Sequence, residues 1–239
     1  MNNLQLPTKP LVVAHRGASI EHYENTIEAF SAAKEQGADW VELDVRRSKD
    51  GVLVVHHDAH LDDGRLIRDM DSKDLPAFIP SLAEAFECME GLGVNIEVKS
   101  LPGEPDREDV VMVCEAVVGL ALAYRTKEFL RVSSFDISTV DRISAANEDL
   151  PTGWLVLERT GSNQILDRVV NHGHGAVHPW DELVDKAFIS EAHQRGLKVF
   201  VWTVDDEERI KELASWQTDA IITNRPGLAR QIIDQQFGQ

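Results

Sequence analysis

The sequence has 239 residues, and its 41 acidic side chains outnumber its 24 basic ones to give a formal net charge of −17. This balance argues against a nucleic-acid or anionic-membrane surface, because such surfaces need clustered Lys and Arg. The hydrophobic fraction of 43% is enough for a sizeable core and excludes a disordered chain. Cys88 and Cys114 are the two cysteines, and they support neither a disulfide framework nor a zinc knuckle.

No apolar run approaches the ~20 residues that a membrane-spanning helix needs. The first ten residues, MNNLQLPTKP, lack the basic start and apolar core of a signal peptide. We therefore expect a cytoplasmic protein that makes no stable membrane insertion and binds no nucleic acid. The oligomeric state does not follow from the sequence.

Short runs rich in Val and Ile alternate about eight times with longer helical patterns. The predicted strands cover 11–15, 40–45, 93–99, 130–135, 153–157, 175–179, 198–204 and 219–223. The predicted helices cover 24–36, 81–90, 106–123, 137–147, 162–172, 185–195, 206–215 and 227–236. A further apolar run at 52–57 follows a Lys-Asp-Gly turn, which predicts a hairpin after the second strand.

Eight strand–helix units in a chain of this length favour an α/β fold, a single (β/α)8 TIM barrel, although a doubly wound open sheet has the same linear pattern. No linker rich in Ser, Gly or Pro divides the chain, so residues 1–239 are predicted to form one domain. The segment 58–80 is dense in Asp and shows little periodicity. We expect it to be a long loop or short insertion over the barrel mouth.

Catalytic groups of such barrels lie at the C-terminal ends of the strands. Glu42 and Asp44 are two residues apart in one predicted strand, so both carboxylates project from one face, and Glu97 holds a similar position in the next parallel strand. Neighbouring carboxylates need a cation between them or a strongly raised pKa. Oxygen ligands suit Mg²⁺ or Ca²⁺. The alternative is that Glu42 or Asp44 pairs with a basic side chain or faces solvent.

Histidines at strand ends can transfer protons near neutral pH. His15 ends the first strand, while His56 and His57 alternate faces, so only one of these two can point inward. Arg16 offers a fork of donors that fits phosphate oxygens. Lys99 shares a face with Glu97 and provides charge for an anionic substrate or a salt bridge to Glu97.

Other residues near the strand ends have less specific patterns. Trp202 provides an apolar wall for a ligand or belongs to the core, and His178 falls near the same rim. His172 and His174 flank a loop glycine, and we expect both to face solvent.

Several motifs occur in order along nearly the whole chain. They are AHRGAS at 14–19, ENTIEAF at 24–30, GADWVELDVRRSKDG at 37–51, VVHHD at 54–58, IPSLAEAF at 79–86, NIEVKS at 95–100 and DAIITNRPG at 219–227. This combination resembles the glycerophosphodiester phosphodiesterase family. The resemblance implies a (β/α)8 barrel that hydrolyses glycerophosphodiesters to glycerol 3-phosphate and an alcohol with one divalent cation, Mg²⁺ or Ca²⁺.

The resemblance also implies roles for individual residues. His15 and His57 would be the acid/base pair, and Glu42, Asp44 and Glu97 would be the metal ligands. The substrate-binding residues would be Arg16 and Lys99 at the phosphate and Phe135 and Trp202 beside the glycerol.

The family likeness further suggests that a glycerol hydroxyl of the substrate attacks the phosphorus to give a cyclic phosphate. The segment after the His-Asp pair runs almost directly to IPSL, so the cap found in many relatives is predicted to be shortened. Tyr23 and Asn224 replace the Pro and Asp that are common in relatives. The alcohol group is therefore not defined. Two alternatives remain open: a lysophospholipid-active relative resembling phospholipase D, and a catalytically silent barrel that binds phosphate or metal.

Overall fold

The computed structural model describes residues 9–238, and within this range the chain forms nine strands and eight α-helices. The strands are β1 (Leu11–His15), β2 (Trp40–Arg47), β3 (Leu53–Val55), β4 (Gly93–Val98), β5 (Leu130–Ser134), β6 (Thr152–Val156), β7 (Ala176–Pro179), β8 (Lys198–Val201) and β9 (Ala220–Thr223). The helices are α1 (Ile27–Glu35), α2 (Leu82–Cys88), α3 (Val110–Tyr124), α4 (Ile137–Ala146), α5 (Ser162–Asn171), α6 (Lys186–Gln194), α7 (Glu207–Ser215) and α8 (Pro226–Phe237).

The parallel strands close into a barrel. The sheet order is β1-β9-β8-β7-β6-β5-β4-β2-β3, and β1 also pairs with β2. This closure excludes the open doubly wound sheet and confirms the predicted (β/α)8 barrel. β3 pairs antiparallel with β2, with Val45 opposite Val55, which is the hairpin expected after the second strand.

The core lies in two places. A small cluster inside the barrel contains Val13, Trp40, Ala176, Phe200 and Ile222. Larger clusters fill the space between the barrel and its helices. Because both faces of each strand are covered, the strands read as continuous apolar runs rather than alternating ones.

Helix α1 begins three residues later than the predicted span 24–36. Asn25 has a left-handed φ of 59°, and its amide donates to the Asp44 carboxylate at 2.8 Å. Thr26 then caps the helix by accepting from the Ala29 N–H. The residues before α1 therefore join the helix to the C-terminal half of β2.

The segment 58–80 is compact although it has no α-helix. It contains two short 3₁₀ turns, at Ile67–Asp69 and Ser72–Asp74. Leu61, Ile67 and Ile79 pack with Val54 in a small apolar cluster. Among the described residues, no helix has both the length and the apolar character needed to cross a membrane.

Candidate active site

A tight turn after β1 places the side chains of His15 and Arg16 at the barrel mouth. Arg16 has a φ of 57° and Gly17 a φ of 87°. A Cβ on Gly17 would lie 2.6 Å from the backbone carbonyl carbon of Ala29, so glycine is required both by the left-handed backbone and by the close approach of α1. The backbone N–H of Arg16 donates to the Glu42 carbonyl at 2.9 Å, which joins this turn to β2.

Three buried carboxylates converge at the ends of β2 and β4. Asp44 lies opposite Glu97 in the parallel register, and Glu42 lies two residues before Asp44. One oxygen from each of the three groups lies within 4.8 Å of the others. Within residues 9–238, Glu42 Oε1 and Asp44 Oδ1 have no hydrogen-bond partner. Because unpartnered buried oxygens are costly, the donor set fits a hard cation such as Mg²⁺ or Ca²⁺.

The pKa values in this cluster reflect its burial and charge. Burial raises the pKa of Glu42 well above its ordinary range, and the negative charges of Asp44 and Glu97 raise it further. Burial also raises the pKa of Glu97; the ammonium of Lys99 opposes this effect. A cation held by the carboxylates would favour their ionised forms.

Two basic side chains lie against the acidic cluster. Lys99 Nζ is 2.7 Å from Glu97 Oε1 and 3.4 Å from Asp44 Oδ1. Arg16 Nε is 3.0 Å from Asp44 Oδ2, and its terminal nitrogen is 2.9 Å from Glu24 Oε1. Burial alone would raise the pKa of Asp44, but Lys99 and Arg16 outweigh it and lower that pKa. The ion pairs considered as an alternative for Asp44 are thus present, while Glu42 keeps an unpartnered oxygen.

A relay of hydrogen bonds orients His15. Its Nδ1 is 2.7 Å from the Asn224 side-chain oxygen, and the Asn224 amide donates to Asp205 Oδ2 at 2.7 Å. The Asn224 oxygen therefore faces the ring, which makes Nδ1 the donor and leaves the lone pair on Nε2. That Nε2 lies 3.9 Å from Glu42 Oε2. Burial lowers the pKa of His15, as does the neighbouring Arg16 charge, so the neutral imidazole is favoured.

His57 is the histidine of the His-His pair that lines the mouth cavity. Its Nδ1 is 2.6 Å from Asp58 Oδ1. The buried Arg46 guanidinium donates to the His57 carbonyl at 2.6 and 2.8 Å, and it also pairs with Glu104 and Asp106. Arg46 thereby fastens the His57 loop to the loop after β4.

The mouth encloses a cavity of about 330 Å³ that is lined by both polar and apolar side chains. Phe135 and Trp202 contact each other edge to face with ring centroids 5.4 Å apart. The Trp202 indole donates to the His178 carbonyl at 2.7 Å, which fixes the ring at the cavity wall. The other apolar lining residues are Leu101, Leu155, Leu157 and Ile222.

The structure brings all nine sequence-predicted site residues to this mouth. Eight of them line the cavity, and the ninth, Asp44, belongs to the carboxylate cluster with Glu42 and Glu97. The eight are His15, Arg16, Glu42, His57, Glu97, Lys99, Phe135 and Trp202.

Two expectations about other histidines were wrong. His178 does not line the mouth: it is fully buried inside the barrel and stacks on Phe200 at 4.7 Å. His174 does not face solvent, because its ring packs against Thr152 and Asp141. His172 is exposed, as expected.

Two residues that position the histidines were not predicted from the sequence. Arg46 follows Glu42 and Asp44 at the same two-residue spacing, so strand periodicity places it on their face and could have identified it. Asp205 lies in the loop after β8, and its contact with Asn224 depends on the closed barrel. A lone Asp in a loop gives no comparable signal.

Comparisons with known proteins agree with this geometry. The model of the glycerophosphoryl diester phosphodiesterase family matches residues 15–228. A glycerophosphodiester phosphodiesterase from Caldanaerobacter subterraneus is 30% identical over 242 aligned residues, which cover 91% of this chain and 95% of that protein.

Two solved structures share the fold. A phosphodiesterase from Oleispira antarctica, in complex with the product sn-glycerol-3-phosphate, is 27% identical with a TM-score of 0.85, covering 94% of this chain and 97% of its own. A glycerophosphodiester phosphodiesterase from Thermotoga maritima is 29% identical with a TM-score of 0.79, covering 94% and 99%. The chain therefore belongs to the glycerophosphoryl diester phosphodiesterase family and is an enzyme of that class, a phosphoric diester hydrolase.

Proposed function

We propose that the enzyme hydrolyses glycerophosphodiesters to glycerol 3-phosphate and an alcohol, with one divalent cation and the pair His15 and His57. The observation that carries this proposal is the convergence of three buried carboxylates and two imidazoles on one cavity. The product found in the Oleispira antarctica relative supports the choice of substrate. We propose further that residues 1–239 act as one catalytic domain, with the segment 58–80 as its short cap.

The cation would be held by Glu42, Asp44 and Glu97. The unpartnered oxygens of Glu42 and Asp44 and the purely oxygen donor set support Mg²⁺ or Ca²⁺. When bound, the ion would stabilise the charge that develops on the phosphate oxygens. Arg16 and Lys99 lie beside the same carboxylates and would add positive charge at the phosphate.

The two histidines would divide the proton transfers. His15 is kept neutral by burial and presents the Nε2 lone pair, so it would accept the proton of the attacking hydroxyl. His57 is oriented by Asp58 and would donate a proton to the leaving alkoxide. The attacking group would be the glycerol hydroxyl next to the phosphoester, which gives a cyclic phosphate that water then opens. Phe135 and Trp202 would pack against the glycerol carbons.

The test is the release of glycerol 3-phosphate from glycerophosphocholine by the purified full chain. We expect EDTA to abolish release, and Mg²⁺ or Ca²⁺ to restore it. The analogue that lacks the neighbouring hydroxyl should bind as a competitive inhibitor without being cleaved. Unchanged release in EDTA would contradict the metal, and efficient cleavage of the analogue would contradict the cyclic intermediate.

Variants at the metal site give a second readout. Glu42→Gln should remove most Mg²⁺ binding in calorimetry, whereas the exposed control Glu148→Gln should bind as the wild type does.

The same release assay with lysophosphatidylcholine as the substrate tests the lysophospholipid-active alternative. Complete inactivity on every diester, with metal bound, would favour the silent barrel. The cytoplasmic location stays a prediction.

A further inference from the structure

A second cluster of potential metal ligands lies away from the mouth. Asp141 is in α4, His172 directly follows α5, and His174 precedes β7. One ligand atom from each residue lies within 4.8 Å of the others. His174 contacts Thr152, the first residue of β6, so the cluster lies at the N-terminal ends of the strands, opposite the active site.

Both imidazoles converge on a single carboxylate. His172 Nδ1 is 3.0 Å from each oxygen of Asp141, and His174 Nε2 is 3.0 Å from Oδ1. In a tetrahedral zinc site, bonds of about 2.0–2.2 Å separate neighbouring ligand atoms by roughly 3.4 Å. Only a small outward shift of these side chains would therefore admit an ion.

The surrounding structure holds the His174 ring and the backbone of both histidines in place. The side chain of His174 has 0% exposure, and its Nδ1 lies 3.1 Å from Thr152 Oγ1. A hydrogen bond at this second nitrogen fixes the ring so that Nε2 faces Asp141, as in many metal sites. The backbone N–H groups of His172 and His174 donate to the carbonyls of Arg168 and Val169.

The cluster is open to solvent on one side. The side chains of Asp141 and His172 are 41% and 35% exposed. An ion could therefore enter from solvent, and water could complete its coordination shell. The cluster supplies two nitrogens and one carboxylate, which suits Zn²⁺ better than Mg²⁺ or Ca²⁺, whereas the mouth supplies oxygens alone.

We propose that Asp141, His172 and His174 form a Zn²⁺-binding site that is separate from the catalytic centre. The bound ion would join α4 to the turn between α5 and β7 on the outside of the barrel. Because it would bind the folded chain, it would also stabilise that state.

The test is calorimetric titration of the full, untagged chain with ZnCl₂ in excess Mg²⁺, so that the mouth carboxylates are occupied. We expect one Zn²⁺ per chain. His172→Ala and Asp141→Asn should each weaken the affinity at least tenfold, and Thr152→Val should weaken it about tenfold through loss of the ring-orienting bond. Zn²⁺ should raise the Tm of the wild type and not that of His172→Ala.

Two control variants locate the ion. His193 forms a similar exposed pair with Asp219, and among the described residues no second imidazole joins it, so His193→Ala should leave Zn²⁺ binding unchanged. Glu42→Gln should also keep it. Wild-type affinity in both His172→Ala and Asp141→Asn would overturn the proposal, as would loss of the ion in Glu42→Gln or no Zn²⁺ binding at all. Asp141→Asn keeps the shape of the side chain, so the test holds if His172→Ala folds poorly.

Discussion

The imidazole rings of His15 and His57 at the barrel mouth are oriented by different kinds of group. His15 bonds to the neutral amide of Asn224, which Asp205 orients in turn. His57 faces a carboxylate on the adjacent residue. An amide oxygen fixes the tautomer of His15 without adding charge, so the neutral ring is retained. These surroundings support the proposed division of roles, with His15 as the base and His57 as the acid.

This division predicts different responses to the leaving group. His15→Gln and His57→Gln should each lower kcat on glycerophosphocholine by about 10²–10⁴-fold. On a glycerophosphodiester of 4-nitrophenol, whose leaving group needs no proton, His57→Gln should recover most of its activity, whereas His15→Gln should not. The measurements are kcat on glycerophosphocholine and the single-turnover release of 4-nitrophenol from the aryl diester, because that release reports the first step alone. The exposed control is His193→Gln, and equal losses for both variants on both substrates would refute the assignment.

The turn after β1 sets the mouth geometry at the level of secondary structure. It places His15 and Arg16 between β2 and the start of α1, and Gly17 makes this close approach possible. Gly64 has a similar φ of 85°, but a Cβ there would meet nothing within 4 Å. Alanine at Gly64 would therefore introduce backbone strain alone, whereas alanine at Gly17 would introduce both backbone strain and a steric clash.

Alanine at these two positions should cost different amounts of stability. Gly64→Ala should lower the free energy of unfolding by about 1–2 kcal/mol, the cost of a left-handed backbone. Gly17→Ala should cost a further ~1–3 kcal/mol, because the new methyl group would overlap the backbone of Ala29. Urea denaturation of both variants measures the difference. Equal costs would show that α1 moves aside without penalty.

Local sequence patterns predicted the elements and the central part of the site. Neighbouring residues alone are enough to recognise these patterns, which are the two-residue spacing of Glu42 and Asp44 and the alternation of strands and helices. The support of His15 is different, because Asn224 lies 209 residues away and meets it only when β1 pairs with β9. The burial of His174 likewise depends on Asp141 and Thr152, which belong to other elements. Contacts of this kind follow from barrel closure and not from periodicity.

At the scale of the whole molecule, the barrel interior contains an imidazole with no partner. His178 is fully buried beside Phe200, and within residues 9–238 neither ring nitrogen has a hydrogen-bond partner. Burial lowers its pKa well below the ordinary value, and the charge of Arg131 lowers it further. The folded state therefore holds His178 neutral, while the unfolded chain protonates it below a pH of about 6.5.

Acid should consequently destabilise the fold through this residue. Below pH ~6.5 the unfolded chain binds one more proton at His178 than the folded chain, so stability falls as pH decreases, by about 1.4 kcal/mol per pH unit for this group. The pKa values of His15 and His174 are also lowered by burial, and they contribute in the same direction. His178→Leu should reduce by about one the number of protons that the chain takes up on unfolding as the pH falls from ~7.5 to ~5.5. The exposed control His193→Leu should not change this number. Urea denaturation across that range measures the slope of the unfolding free energy against pH. An unchanged slope in His178→Leu would mean that the buried ring is already protonated or that unfolding does not expose it.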